Sequence, residues 1–340
     1  MPSLPSLASL LDTASSLPPA QQRRVACLLG AAVADAAARP LHWVYDMRDM
    51  RAAVAGREAS PEFLPTNKSP FYSLATGDSS CYWDESKAVL TALASSPGDF
   101  SYDKICSQFH QDFGPGSPYS LESRQTYMQL RREGKERQTL EGKWLHGGMI
   151  QFLAKGRGDP GIKETDGFCC SLPAVAQWAG DPALRERVVK IAGTQSSWPV
   201  ALRHAQVAAR IVELFLLGRQ DAIQEAGREA EQDFPEIAKE LAKVTSHLAM
   251  DHVEAVGMVY GSPCYNPGSF LGAIHSVQTA DSFEEAVRQT LLAGGCTCSR
   301  AFFIGAMVGA RDGLEAIPRD WVERTWGAQE VLRLALIIVK

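Results

Sequence analysis

The sequence predicts an all-α fold. Apolar residues recur at helical spacing almost from end to end, and no stretch alternates as a strand would. Proline, glycine and capping side chains punctuate the helical runs where helices begin and end. The first run, residues 21–38, carries a stripe of small residues at Gly30, Ala34 and Ala38. Runs at 84–95, 102–113 and 121–132 follow. Beyond a glycine-rich middle come 171–178, 182–193 and 199–217. Pro182 and Pro199 take first-turn positions, where a missing N–H costs nothing, and Asp181 is placed to cap. Runs at 222–232, 234–247, 269–278, 282–293, 298–313 and 328–339 complete the series. Ser282 precedes Glu284 and Glu285 at one start, Gly294 ends that helix, and Gly313 closes the next. Residues 54–81 and 142–167 read as long loops, of the kind that line sites in helical domains. Residues 1–20 read as disordered or loosely packed. No linker divides the rest, so residues 21–340 are expected to form a single compact, multi-helix domain.

At 340 residues the chain can bury a large core, and its 45% apolar fraction is ordinary for a globular protein. The net charge of −5 comes from mixed acids and bases, with no basic block to serve nucleic acid, although a small anionic ligand needs only a local pocket. No secretory signal is read in residues 1–20. No run is long and uncharged enough to span a bilayer, and the apolar stretch 331–339, broken by Arg333, is expected to dock as a helix. Eight cysteines without paired Cys-x-x-Cys units resemble neither a disulfide framework nor a structural zinc site. Reduced thiols and a cytoplasmic location are the expectation.

The most informative stretch is Ala293-Gly294-Gly295-Cys296-Thr297-Cys298-Ser299-Arg300. Two glycines permit close backbone approach, and the helix that starts after them offers unpaired N–H groups and a positive dipole end. Upstream lies Asp281-Ser282-Phe283-Glu284-Glu285-Ala286-Val287-Arg288. Downstream come Gly305-Ala306, Gly309-Ala310 and Gly313-Leu314-Glu315-Ala316-Ile317-Pro318, then Trp321. This arrangement resembles the ADP-ribosylglycohydrolase family. Gly30-Ala31-Ala32-Val33-Ala34-Asp35-Ala36 with Pro40 is similar to the family's first-helix motif. Trp83-Asp84-Glu85-Ser86 falls at the place of its Thr-Asp-Asp-Thr motif, and Thr194 and Pro199 fall at a Thr-His…Pro segment. Pro40-Leu41-His42-Trp43-Val44-Tyr45-Asp46, with Pro263-Cys264-Tyr265-Asn266-Pro267-Gly268-Ser269, is similar to the branch of J-type crystallins and selenoprotein J.

The resemblance implies a compact all-α fold. In active members it implies two Mg²⁺ ions held by the Thr-Asp-Asp pair and an Asp-x-Asp-Thr after Gly-Gly, orienting ADP-ribose for attack by water. Here Trp83, Asp84, Glu85 and Ser86 stand at the first motif, and Cys296, Cys298 and Ser299 at the second. Mg²⁺ is a hard ion that takes oxygen ligands, and thiols are soft. No resident cofactor is therefore expected, beyond a single weakly held Mg²⁺ at Asp84, Glu85 and Ser86. Without metals, hydrolysis loses its main electrostatic support.

The candidates for remaining catalysis are Asp35, Asp84 and Glu85. Those for binding an ADP-ribose-like small molecule are His42, Gly294, Gly295, Ser299 and Arg300, the last as a phosphate partner. Cys296 and Cys298, at a helix start that favours thiolate, are the redox candidates, set against a reading as small inert core side chains. Asp35 is as readily an inter-helix hydrogen-bonding residue, and His42 a structural one. His146, beside Gly147 and Gly148, has no nucleophile paired with it in sequence. Three functions stay open: a non-hydrolytic structural protein with a redox thiol, a hydrolase of ADP-ribose-linked substrates, and a module that binds ADP-ribose or a nucleotide without cleaving it.

Overall fold

A computed structural model describes residues 5–69, 72–115, 117, 119, 140–141 and 145–340. They form α1 (Leu7–Ser15), α2 (Pro19–Ala38), α3 (Met47–Val54), α4 (Cys81–Ala94), α5 (Tyr102–Phe113), α6 (Gly147–Lys155), α7 (Asp166–Trp178), α8 (Leu184–Ala192) and α9 (Pro199–Leu216). Then come α10 (Ala222–Asp233), α11 (Pro235–Thr245), α12 (His252–Ala255), α13 (Gly268–Thr279), α14 (Phe283–Leu292), α15 (Thr297–Asp312), α16 (Arg319–Arg324) and α17 (Ala328–Ile338). Among the described residues, strands are limited to Tyr72–Ser73 beside Leu140–Glu141, two residues each, with isolated bridges at Val44 and Gly295, Asp159 and Ser196, and Glu164 and Tyr265. The all-α expectation holds. None of the described helices is long and apolar enough to cross a membrane.

The predicted run 121–132 lies outside the described residues. The stretch 142–167, read as loop, contains α6, whose glycine start and short length disguise its periodicity. Residues 1–20, read as loose, hold α1, capped by Ser6 and burying Leu10 and Ala14. Gln329 of α17 donates to the Pro5 carbonyl and fastens this segment.

The centre is the crossing of α2 with α15, both buried along most of their length. They run antiparallel at close range. A Cβ added at Gly305 would overlap the Gly30 carbonyl, one at Gly30 would overlap the Gly305 carbonyl, and one at Gly309 would overlap the Ala26 carbonyl. The small-residue stripe of α2 therefore exists to admit a second backbone. Phe302 and Phe303 of α15 carry the packing outward, to Trp83 of α4, Phe168 of α7 and Phe270 of α13.

The loop between α3 and α4 is held by a buried cation. Arg39, just past α2 and fully buried, donates to the Asp78 carbonyl at 2.8 Å, the Leu74 carbonyl at 3.1 Å, the Ala75 carbonyl at 2.5 Å and Asn67 Oδ1 at 3.1 Å. These bonds satisfy the guanidinium inside the protein and hold the loop that leads to Ser80, the N-cap of α4.

The crossing generates a signed prediction. Gly305→Ala is expected to destabilise the fold by about 1–3 kcal/mol, since backbone rather than a flexible side chain must give way. Gly227→Ala on α10, where the added Cβ meets only the Leu241 side chain at 3.7 Å, is expected to stabilise by about 1 kcal/mol. Urea unfolding of both variants checks the pair of signs.

Candidate functional site

The ends of α2 and α15 meet at a buried polar cluster. Gly294 and Gly295 are both left-handed, with φ of 67° and 68°. The double turn lets Gly295 pair with the segment after α2: Gly295 N–H donates to the Val44 carbonyl and Trp43 N–H to the Gly295 carbonyl, each at 2.7 Å. The start of α15 is then filled from within. Cys296 N–H donates to the Ser262 carbonyl at 2.8 Å, Thr297 N–H to the Gly295 carbonyl at 2.9 Å, and Cys298 N–H to His42 Nδ1 at 3.2 Å. The anion seat expected at Gly294 and Gly295 is thus occupied by the protein's own acceptors.

Arg300 likewise departs from its expected role. It is fully buried and donates to Thr290 Oγ1 at 2.8 Å, the Ser262 carbonyl at 3.0 Å, and the Thr290 and Gly294 carbonyls. With its donors turned to internal acceptors, it locks the Gly-Gly turn rather than facing a phosphate. Ser299 donates to the Cys296 carbonyl at 2.9 Å and lies 2.8 Å from Ser269 Oγ. The cavity touching Ser299, Ser269 and Glu164 is about 10 Å³, room for one water.

The two redox candidates separate. Cys298 sits inside the α2–α15 contact, its thiol donating to the Asp35 carbonyl at 3.6 Å. Burial, then the neighbouring Asp35 and Cys296, push it well above the ordinary thiol range, so it is a core donor and not a reactive thiol. Cys296 is different. His42 accepts a backbone N–H at Nδ1, so its neutral ring carries the proton on Nε2, 4.0 Å from Cys296 Sγ. Tyr82 Oη lies 3.1 Å from the same sulfur. Burial alone would raise the Cys296 thiol, but hydrogen bonding with Cys264, the His42 ring and Ser299 reverses this and holds it well below the ordinary range. The partner thiol, Cys264, is raised in turn by that bond and by burial, and keeps its proton. His42, packed on Trp43 with ring centroids 4.3 Å apart, is thereby both a structural acceptor and a donor toward sulfur.

The carboxylates also divide. Asp35 is fully buried, accepting Ser80 N–H at 2.7 Å and Ser80 Oγ–H at 2.5 Å, which ties α2 to the cap of α4. Asp84 accepts from Ser79 Oγ at 2.6 Å and stays half-buried. Glu85, one residue on, turns inward. Its Oε1 lies 3.1 Å from Nδ1 of His146, the residue that precedes α6, and its Oε2 accepts from Cys170 at 3.5 Å. Asp166, opening α7, places Oδ1 3.1 Å from the same Nδ1. His146 Nε2 faces Cys81 Sγ at 3.1 Å. Burial would lower the His146 pKa, but Asp166, Cys81 and Glu85 raise it well above the ordinary value. The sequence reading missed His146 and Asp166 as partners of Glu85, because the three are far apart in the chain and match no spacing motif. A faint signal was Gly148, where an added Cβ would overlap the Gln195 carbonyl, so the chain must pass tightly there.

With this fold and cluster in place, the comparisons are decisive for the family. Residues 16–340 match the family model described as ADP-ribosylglycohydrolase, and the chain belongs to that family. A solved structure titled "ADP-ribosylglycohydrolase-related protein complex" superposes with a TM-score of 0.60 over 95% of this chain and 99% of its own, at 18% identity. Within the family, the chain is similar to crystallin J1A of Tripedalia cystophora, 30% identical over 323 residues, which cover 93% of this chain and 96% of the relative. Crystallin J1B of the same animal is 27% identical over 327 residues, covering 94% and 97%.

The residues present do not fit the family's pair of Mg²⁺ ions. The second motif supplies sulfur at Cys296 and Cys298, and Cys298 is engaged with a backbone carbonyl. Both oxygens of Asp35 are held by Ser80. With thiols in place of the second pair of acids, the second of two hard, hexacoordinate ions loses its anionic oxygens.

Two predictions follow from these contacts. Burial raises the Asp35 pKa from 3.8 to about 7, outweighing its bonds from Ser80. Between those values the folded chain keeps a proton that the unfolded chain has released, so this group's contribution to stability falls as pH rises, by up to about 1.4 kcal/mol per pH unit. Asp35→Asn cannot titrate. Its stability relative to the parent is expected to improve from about pH 4 to about pH 7, measured by urea midpoints; a pH-independent difference would refute the assignment. For Cys296, ultraviolet thiolate absorbance is expected to persist below the ordinary thiol range, to vanish in Cys296→Ser, and to move to higher pH in Tyr82→Phe and His42→Ala.

Proposed function

We propose that the protein is a non-hydrolytic member of the family, serving a structural role of the kind its crystallin relatives' names denote, with Cys296 as the reactive group left in the former cleft. One observation carries this reading. The groups that would hold two metal ions and a pyrophosphate are engaged inside the protein, and thiols stand where the second pair of acids would be. A helix N-terminus filled by Ser262, Gly295 and His42 offers little to an anion, and Arg300 is fully buried with four hydrogen bonds to internal acceptors. The chemistry that remains is that of sulfur: Cys296 is surrounded by donors that favour its thiolate and, being fully buried, is open to oxidation only by a reagent small enough to enter the interior, such as a peroxide. All eight cysteines are free, which suits a reducing, cytoplasmic setting.

The test is ADP-ribose titration with and without Mg²⁺, alongside an ADP-ribosylated peptide assayed by mass spectrometry. No release of ADP-ribose and no thermal stabilisation are expected. Release that depends on Mg²⁺ would restore the hydrolase reading. Stabilisation by ADP-ribose without turnover would replace the structural role with that of a binding module.

A further inference from the structure

We propose that Glu85, His146 and Asp166 form a site for one divalent transition-metal ion of the zinc class, different in ligands and in kind from the paired Mg²⁺ of the family. The inference goes beyond the structural role proposed above and does not depend on it. The three residues come from the second turn of α4, the N-cap of α6 and the first residue of α7, and all are buried. One ligand atom from each lies within 4.8 Å of the others. An ion with bonds of about 2.0–2.2 Å gathers such a set with a small side-chain shift.

The second observation is an unmet need. His146 Nδ1 stands 3.1 Å from both Glu85 Oε1 and Asp166 Oδ1, and one N–H serves only one of them. Glu85 takes the hydrogen bond. Both Asp166 oxygens are then buried without a hydrogen-bond partner, in a residue with no exposed surface. A carboxylate in that state is costly unless a cation meets it.

The surroundings orient the three ligands. With Nδ1 bound to metal, the ring proton resides on Nε2 and donates to Cys81 Sγ, 3.1 Å away, which fixes the ring's orientation. The Cys170 thiol donates to Glu85 Oε2 and leaves Oε1 for the ion. Charge also balances: two carboxylates and a neutral imidazole around a dication sum to zero. One nitrogen and two oxygens in a dry site suit zinc, or cobalt as its probe, better than Mg²⁺, which retains water and takes six oxygens. Ligation displaces any proton on Nδ1 into solvent.

The experiment uses the full chain, stripped with a chelator and dialysed against Zn²⁺, Co²⁺ or Mg²⁺, with bound metal counted by mass spectrometry. One equivalent of Zn²⁺ is expected. Affinity should fall at least about tenfold in His146→Ala and Asp166→Asn and stay unchanged in Cys296→Ser. Where a variant fails to fold, X-ray absorption on the zinc-loaded parent decides, and a shell of nitrogen and oxygen with one imidazole supports the site. A sulfur-dominated shell, retention of Mg²⁺ alone, no retained zinc, or full zinc binding by folded His146→Ala would each overturn it.

Discussion

The molecule depends on one close crossing of two helix backbones. α2 and α15 approach at Gly30, Gly305 and Gly309 until only a hydrogen can stand between chain and carbonyl. Their antiparallel course brings the end of one helix to the beginning of the other. That is why Asp35 and His42 lie beside Cys296 and Cys298, although more than 250 residues separate them in the chain. A looser crossing would leave space between these groups, and the hydrogen bonds that define the cluster would not close. Packing thus precedes chemistry here: the glycines place the polar atoms, and the polar atoms then satisfy one another.

Because α15 begins inside the protein, its exposed N–H groups needed partners, and the fold supplies them from the segment after α2 and from Ser262. The same rule governs Arg39 and Arg300. Each is fully buried and each turns its guanidinium toward backbone carbonyls, so two cations serve as internal fasteners for loops. Cys296 is the counterexample, since the groups around it donate toward a sulfur that can carry charge. The site therefore contrasts two thiols two residues apart. One is neutral and locked in a helix interface, and the other is surrounded by donors.

Much of the fold was legible because helical periodicity and capping are local. Residues 102–113 were read with the bounds that the structure shows, and most other helices within a few residues. α1, α3, α6, α12 and α16 were not read: α1 packs by a narrow apolar face, α6 starts on two glycines, and the other three span only eight, four and six residues. The site was legible only where it follows the chain. The Gly-Gly turn and the Trp83–Ser86 segment stand out as contiguous motifs. The meeting of Glu85, His146 and Asp166 does not, because it is made by three separate helix starts whose proximity is a tertiary fact. Arg300 shows the converse. A cation after a glycine turn invites a phosphate, and only burial reveals that backbone carbonyls already claim it.

The bond from Cys298 to the Asp35 carbonyl limits what this position can hold. A carboxylate at that position, with no cation beside it, would point one negative group at a carbonyl oxygen in a dry interface, close to another acid. Cys298 therefore cannot be exchanged for an acid without disturbing the α2–α15 contact it sits in. At this crossing a change of chemistry is also a change of packing.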